Sequence, residues 1–357
     1  MIYLVDLEYV ETRYTSQWKS EFPQSIADKT GQDIVVIEGP DDIANGTTPG
    51  AFLDFAGTNI YKAEQVKIIA DLFQKEQILD GDHFVFADAW HPGVLQLKYM
   101  AELLNIKITT HGLWHAGSYD VHDFLGRRIG DAKWVRHTEY AMFDAFDRNY
   151  FASQFHIGMF ATVMFEGEQD EEYLRSKIVR SGWPMEYLNT HLTPSTNKQD
   201  IILFPHRNAP EKQLEIFQDL AKAMPEYEWI NCNDYKLTKK EYNKLLEQSK
   251  MVFSANLQET LGISCYEILR AGGIPLVPNR LSYVEMYEDI FKYPSAFTEN
   301  WKTYKENQEI LIGKIKTMMN NFGAPEIQDA IVSNRDMLER EYFSATNLYQ
   351  ELMNETV

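Results

Sequence analysis

Two acidic residues stand where a strand pattern gives way to a helical one. The stretch reads Ser254-Ala-Asn-Leu-Gln-Glu259-Thr260-Leu261-Gly262-Ile-Ser-Cys-Tyr-Glu267, and Gly272-Gly273-Ile-Pro follows shortly after. Eight helical steps of about 1.5 Å put the two carboxylates roughly 12 Å apart and rotated by about 80°. Both can then face one ligand about as long as a sugar nucleotide. Each would accept hydroxyls at one end of it, with a diphosphate between them over the helix N-terminus. Two solvated glutamates on an amphipathic helix are the plain alternative. Glu259 at the helix start, and Gly262, which leaves backbone N–H groups open to a phosphate, favour the ligand.

Upstream, Phe204-Pro205-His206-Arg207 closes another strand pattern, and Pro210-Glu211-Lys212 opens the next helix. Expelling a nucleoside diphosphate without a metal requires fixed cations at the phosphates, and Arg207 with Lys212 would supply them, unless they are ordinary surface charges. In the first half, a strand pattern over 106–110 runs into His111, with His115 four residues on. Two histidines at one strand end suit a site better than a single one does. The most basic stretch carries Arg127, Arg128, Lys133 and Arg136 around Trp134. That mixture suits a nucleic-acid backbone with an unstacked base, or a solvated helix face. Asp80-Gly81-Asp82 precedes a strand and reads as a turn. Neither a Walker loop nor Gly-x-Gly-x-x-Gly is present, which removes the usual support for ATP hydrolysis and nicotinamide chemistry.

Alternation of short apolar runs with longer helical patterns positions these residues and predicts parallel sheets with crossover helices. Strands are expected at 2–5, 34–37, 52–55, 84–87, 106–110 and 150–152, then at 201–204, 228–231, 251–254 and 274–277. Helices are expected at 62–74, 93–104, 211–223, 239–248, 260–271 and 327–353. The 357 residues divide into a first domain at 1–195, a second at 196–335, and a helix at 336–357 crossing back to the first. Apolar residues make up 44% of the chain, enough for two cores and too many for a disordered chain. No apolar run reaches membrane-span length and no basic leader precedes Met-Ile-Tyr-Leu, so a soluble cytoplasmic protein is expected. Two cysteines are too few for a disulfide framework or a zinc site. A formal charge of −19 argues against a surface that coats nucleic acid without specificity, though not against a local basic groove.

Arg207 with Lys212, Glu259 and Glu267 separated by seven residues, and Gly272-Gly273-Ile-Pro together resemble the donor half of retaining GT-B glycosyltransferases of the glycogen-synthase-like group. The likeness covers about 200–290 and is topological elsewhere. It implies an α/β GT-B architecture of two Rossmann-like parallel-sheet domains facing a central cleft, with the acceptor side at 1–195 and the nucleotide-sugar donor domain at 196–335. It also implies sugar transfer from a nucleotide sugar, a UDP-sugar in the first instance, to a hydroxyl acceptor, with no metal or other cofactor required. In that family the Arg and Lys neutralise the diphosphate, which assigns those roles to Arg207 and Lys212. The first Glu contacts the donor sugar, implying Glu259. The second holds the ribose, implying Glu267, and the backbone of Thr260, Leu261 and Gly262 approaches the phosphate. A histidine near the donor sugar implies His111, with His115 as the alternative. The family's glycine-rich loop after the first strand is replaced here by Asp6-Leu-Glu8-Tyr-Val-Glu-Thr-Arg13, where Arg13 could substitute for the missing backbone donors. The chain as a whole also resembles DNA-modifying glycosyltransferases of tailed phages. That implies host cytoplasm as the location and a hydroxymethylated pyrimidine in DNA as acceptor, contacted by Arg127, Arg128, Lys133, Trp134 and Arg136. A sugar-nucleotide epimerase of the same fold and a catalytically silent sugar-nucleotide-binding protein are the alternatives.

Overall fold

The computed structural model of the protein describes residues 1–10, 13–41, 53–166 and 170–354. The chain divides into two compact units, Met1–Met185 with Ser344–Val357, and Glu186–Phe343.

The first unit contains a six-stranded sheet in the order β2-β1-β3-β4-β5-β6, with every pairing parallel. Its strands are β1 (Ile2–Val5), β2 (Ile34–Ile37), β3 (His83–Phe86), β4 (Thr109–Leu113), β5 (Arg148–Phe151) and β6 (Ile178–Arg180). Every residue of β1 and β3 is buried, as strands covered by helices on both faces require, and Tyr3 stacks on its register partner Phe84 at 4.7 Å.

Several expected boundaries move, each for a local reason. Phe52 lies outside the described residues, and Phe55 opens the helix Phe55–Gln74 instead of ending a strand, because the Asp54 carboxylate caps it by accepting from the Ala56 amide at 3.1 Å. Ile106 belongs to a helix terminus: Asn105 is left-handed at φ 55°, and the Ile106 amide returns to the Ala101 carbonyl at 2.9 Å, closing the helix Gly93–Leu103. The next strand consequently starts three residues later than expected, and His111 falls inside β4. β5 starts and ends earlier than the expected 150–152, and β6 has no counterpart among the expected strands. Asp80 and Asp82 accept from the Lys107 and Leu79 amides, both at 2.8 Å, so both carboxylates serve the turn's backbone.

In the second unit a five-stranded parallel sheet runs β11-β10-β9-β7-β8. Its strands are β7 (Gln199–Phe204), β8 (Glu228–Asn231), β9 (Ser249–Phe253), β10 (Ile274–Pro278) and β11 (Lys292–Tyr293). The expected helix at 211–223 is a 3-10 turn, Pro210–Lys212, then left-handed Gln213 (φ 53°), then a helix at Leu214–Ala223. The expected helix at 260–271 is shorter, Ile263–Arg270, because Gly262 takes φ 77° and turns the chain in front of it. The expected helix at 327–353 is two, Pro325–Glu341 and Thr346–Met353. The second of these belongs to the first unit, where it packs on the helix Thr15–Thr30 and Gln32 donates to the Leu352 carbonyl at 2.8 Å.

Both sheets are wound alike. The chain leaves β1 to one side for β2 and returns on the other for β3; it leaves β7 for β8 and returns for β9. At such a switch point the loops leaving the carboxyl ends of the two central strands diverge, and ligands of open parallel sheets bind there. Among the described residues no helix is long and apolar enough to cross a membrane.

The helix Lys239–Gln248 starts on a capping box in which Thr238 accepts from the Glu241 amide and the Glu241 carboxylate accepts from the Thr238 amide. Thr238→Ala should cost about 1 kcal/mol, read as a lower urea midpoint for the second unit. An unchanged midpoint would show that the cap contributes nothing.

Candidate functional site

The second unit's switch point lies between the ends of β7 and β9. β7 leads into His206 and Arg207, and β9 leads into the loop that reaches Gly262. Lys212, on the 3-10 turn, is only 6% exposed; its ammonium donates to the Gln258 carbonyl and lies 3.4 Å from Glu259 Oε2. Glu259 Oε1 accepts from the Thr260 amide at 3.2 Å. Burial alone would raise the Glu259 pKa, but the Lys212 ammonium and the Gly262 and Leu261 amides outweigh it and hold the carboxyl below its ordinary range. Glu259 is therefore ionised at neutral pH.

This geometry corrects two expectations. Glu259 lies in the loop before the helix, so the 12 Å helical ruler does not apply to it. The Thr260, Leu261 and Gly262 amides, expected to be open to a phosphate, face the Glu259 carboxylate instead. An anion belongs at that place, and the chain's own carboxylate fills it.

The loop is held from several sides. Arg280 donates to the Asn256 and Ala255 carbonyls, each at 2.7 Å, and Gln213 donates to the Ala255 carbonyl at 2.6 Å. Asn256 Nδ2 donates to the Tyr283 hydroxyl at 3.0 Å. A Cβ on Gly262 would stand 2.7 Å from the Tyr283 ring, so both φ and space demand glycine there.

Three polar atoms in these segments are buried and have no partner among the described residues: His206 Nε2, Arg207 Nη1 and Asn256 Oδ1. Burial, with Lys212 beside it, drops the His206 pKa to about 3, so the ring is neutral, and its Nδ1 lies 3.4 Å from the Ser264 hydroxyl. Arg207 pairs with buried Glu211 through Nη2, which leaves Nη1. Each buried polar group without a partner costs roughly 1–3 kcal/mol, so three together on the loops of one switch point make these loops the candidate site. Glu267 is buried on the helix Ile263–Arg270 and accepts from Lys239 at 2.6 Å and the Tyr242 hydroxyl at 2.9 Å. A carboxylate has about four acceptor sites, so two further donors can be accommodated.

The first unit treats its candidates differently. His111 is fully buried inside β4, between His83 (Nδ1···Nε2, 3.0 Å) and the Tyr150 hydroxyl (2.9 Å from Nδ1). Burial drives its pKa well down. Both ring nitrogens are occupied inside a sheet, which removes it from the catalytic set. His115 follows the end of β4, packs on Trp183, and binds the Tyr14 hydroxyl and the Ala87 carbonyl, each at 2.6 Å. The guanidinium of Arg13 lies 5.8 Å from the Tyr14 ring centre. The basic stretch splits between the helices Phe124–Ile129 and Lys133–Ala145. Arg127 donates to the His122 carbonyl, and Arg128 lies over the Phe124 ring. Arg136 turns inward to Ser118 and to Glu139, a buried carboxylate that also accepts from Trp90 Nε1 at 2.9 Å, so its guanidinium is engaged within the unit. Lys133 is exposed, and Trp134 is 59% exposed.

His206, Asn256 and Ser264 were not among the expected site residues. For His206 the signal was available, since it precedes Arg207 at the same strand end.

No protein-family model matches the chain, and neither does any curated protein sequence. Solved structures do. The catalytic domain of starch synthase IV from Arabidopsis thaliana, bound to ADP and acarbose, superposes with a TM-score of 0.59 at 10% identity, covering 99% of this chain and 98% of that one. Sucrose-phosphate synthase from Thermosynechococcus elongatus gives 0.60 at 9% identity, covering 98% of both chains. The pneumococcal O-GlcNAc transferase GtfA, in complex with UDP and GlcNAc, gives 0.56 at 13% identity; 82% of this chain is covered, which spans 60% of that one. These likenesses show the fold: two parallel α/β units of the GT-B class.

Neutral, buried His206 generates a pH prediction. Its folded pKa of about 3 lies below the roughly 6.5 of an unfolded histidine, so its contribution to stability is complete above pH 6.5 and is lost as pH falls toward 3. The drop in melting temperature from pH 7 to pH 5 should be smaller in His206→Gln than in the parent chain. Equal drops would contradict a neutral, buried His206.

Proposed function

We propose that the protein is a glycosyltransferase that moves a sugar from a nucleotide-sugar donor to a hydroxyl acceptor with retention of configuration, and that the ends of β7 and β9 bind the donor. The observation that carries this reading is the set of buried, unpartnered atoms His206 Nε2, Arg207 Nη1 and Asn256 Oδ1 on the loops that hold the ionised pair Lys212–Glu259. The nucleotides bound by GtfA and starch synthase IV support it, and UDP in GtfA favours a UDP-sugar.

In this reading the diphosphate takes donors from Arg207 Nη1 and His206 Nε2, with Lys212 adding charge and the first-turn amides of Ile263–Arg270 beneath it. The phosphate replaces the Glu259 carboxylate on its amides, and Glu259 turns to the sugar hydroxyls. Glu267 uses its remaining lone pairs on the ribose. As the glycosidic bond to phosphate breaks, negative charge grows on the leaving oxygens, and these fixed donors stabilise it. The acceptor hydroxyl attacks from the face the diphosphate leaves and passes its proton to the departing phosphate oxygen, which retains configuration. For the acceptor, a hydroxymethylated pyrimidine in DNA draws support from exposed Trp134 and Lys133, now without Arg136.

Incubation with labelled UDP- and ADP-sugars, with and without hydroxymethylated DNA, tests these readings. Label transferred with retained anomeric configuration is expected, and Glu259→Ala should lower the rate by about 10²-fold or more without altering the circular dichroism spectrum. Near-normal transfer by that variant contradicts the donor site. A changed free sugar would indicate an epimerase, and binding without turnover a silent protein.

A further inference from the structure

One helix of the second unit grips Glu267 with two side chains. Lys239 and Tyr242 lie one turn apart on the helix Lys239–Gln248, so they share a face of it, and both reach the carboxylate. The Lys239 ammonium donates to Oε1 at 2.6 Å and the Tyr242 hydroxyl to Oε2 at 2.9 Å. The ammonium also lies 4.9 Å from the centre of the Tyr242 ring, so the two side chains steady each other as well as the glutamate. Burial, with Glu267 beside it, pushes the Tyr242 phenol well up, which keeps it protonated and donating. The same two causes push the Cys232 thiol up to about 12, so Cys232 adds no anion at the end of β8.

Each oxygen of a carboxylate has two acceptor positions. Lys239 fills one on Oε1 and Tyr242 one on Oε2, which leaves one on each. The Glu267 side chain is only 5% exposed, against 28% for Lys239, so the remaining positions are shielded and Lys239 marks the open side. Two donors spaced like the two oxygens of one carboxylate are what this arrangement fits, and neighbouring hydroxyls of one ring have that spacing. The 2′ and 3′ hydroxyls of a ribose supply both. A 2′-deoxyribose supplies one and leaves a buried acceptor unpaired, and sites built around a hydroxyl reject analogues that lack it. A phosphate would bring negative charge against Glu267.

We propose that Lys239, supported by Tyr242, sets the nucleotide specificity of this site: it holds Glu267 with one acceptor position open on each oxygen, so that the carboxylate takes both hydroxyls of a ribose and discriminates against a 2′-deoxyribose. The donor is then a sugar carried on a ribonucleoside diphosphate, and sugars carried on a 2′-deoxynucleoside diphosphate are poor substrates. Lys239 is a positioning residue, acting through Glu267 without touching the nucleotide itself. Without its ammonium, Glu267 loses a partner for a buried charge and turns toward whatever donor remains, out of register with the two hydroxyls. This inference rests on the proposed donor site.

The test is calorimetric titration of the full chain with UDP and ADP, each beside its 2′-deoxy counterpart. The wild type should bind one of the two ribonucleotides about tenfold or more tighter than the deoxy form. Lys239→Met, which keeps most of the stem and removes the charge, should cut that ratio to about threefold or less by weakening the ribonucleotide and sparing the deoxynucleotide. Lys239→Arg should restore most of the ratio, and Tyr242→Phe should lower it. Melting temperatures confirm that the variants are folded, and Tyr242→Phe decides if Lys239→Met does not fold. A lysine with a merely structural role would weaken both nucleotides alike, so an unchanged ratio in the folded variants overturns the proposal, as does a wild-type ratio near one; in both cases the donor site stands. Binding of neither ribonucleotide overturns the donor reading and this inference with it.

Discussion

A lysine and a glutamate held together largely out of water set the construction of the second unit's loops. Removing an ammonium and a carboxylate from solvent costs several kcal/mol per ion, and their mutual attraction offsets this only when both keep further partners. Lys212 has the Gln258 carbonyl, and Glu259 has the amides that follow it. The loop after β9 must therefore fold its own backbone back toward the carboxylate. Gly262 makes this possible at φ 77°, and Tyr283, packed where a side chain would stand, fixes the choice. Lys212 in turn depends on the break at left-handed Gln213, whose side chain ties the 3-10 turn to Ala255 and to the Thr298 carbonyl.

The ion pair also keeps the amides ahead of the helix Ile263–Arg270 satisfied. In the proposed enzyme, a phosphate arriving on the amides exchanges one anion for another, so the helix N-terminus is satisfied with and without ligand. His206 and Arg207 lack such a stand-in. Burial and Lys212 keep His206 neutral, so it contributes a directed N–H, while the charge comes from Arg207 and Lys212. The division of labour suits a leaving group that gathers negative charge as the bond breaks, because fixed donors need no reorganisation at that moment.

Much of this was legible from residue order, and the failures have identifiable causes. Continuous apolar runs such as Ile2–Val5 and Ile34–Ile37 are strands because parallel sheets bury both faces. Glu259 and Gly262 stood out because a glycine at a strand-to-helix junction has few other uses. Periodicity cannot tell whether Ile106 opens a strand or closes a helix; the left-handed turn at Asn105 decides, and with it His111 moves from a strand end to the interior of a sheet. Arg136 read as a surface cation because Trp90 and Ser118, which gather around Glu139 with it, are far away in sequence.

A crystal structure of the full chain with UDP bound tests the central claim most directly. The account predicts diphosphate oxygens within hydrogen-bond distance of Arg207 Nη1 and His206 Nε2, with the Glu259 carboxylate displaced from the Gly262 amide. A diphosphate bound elsewhere on the chain, with both of those nitrogens still lacking a partner, would contradict it.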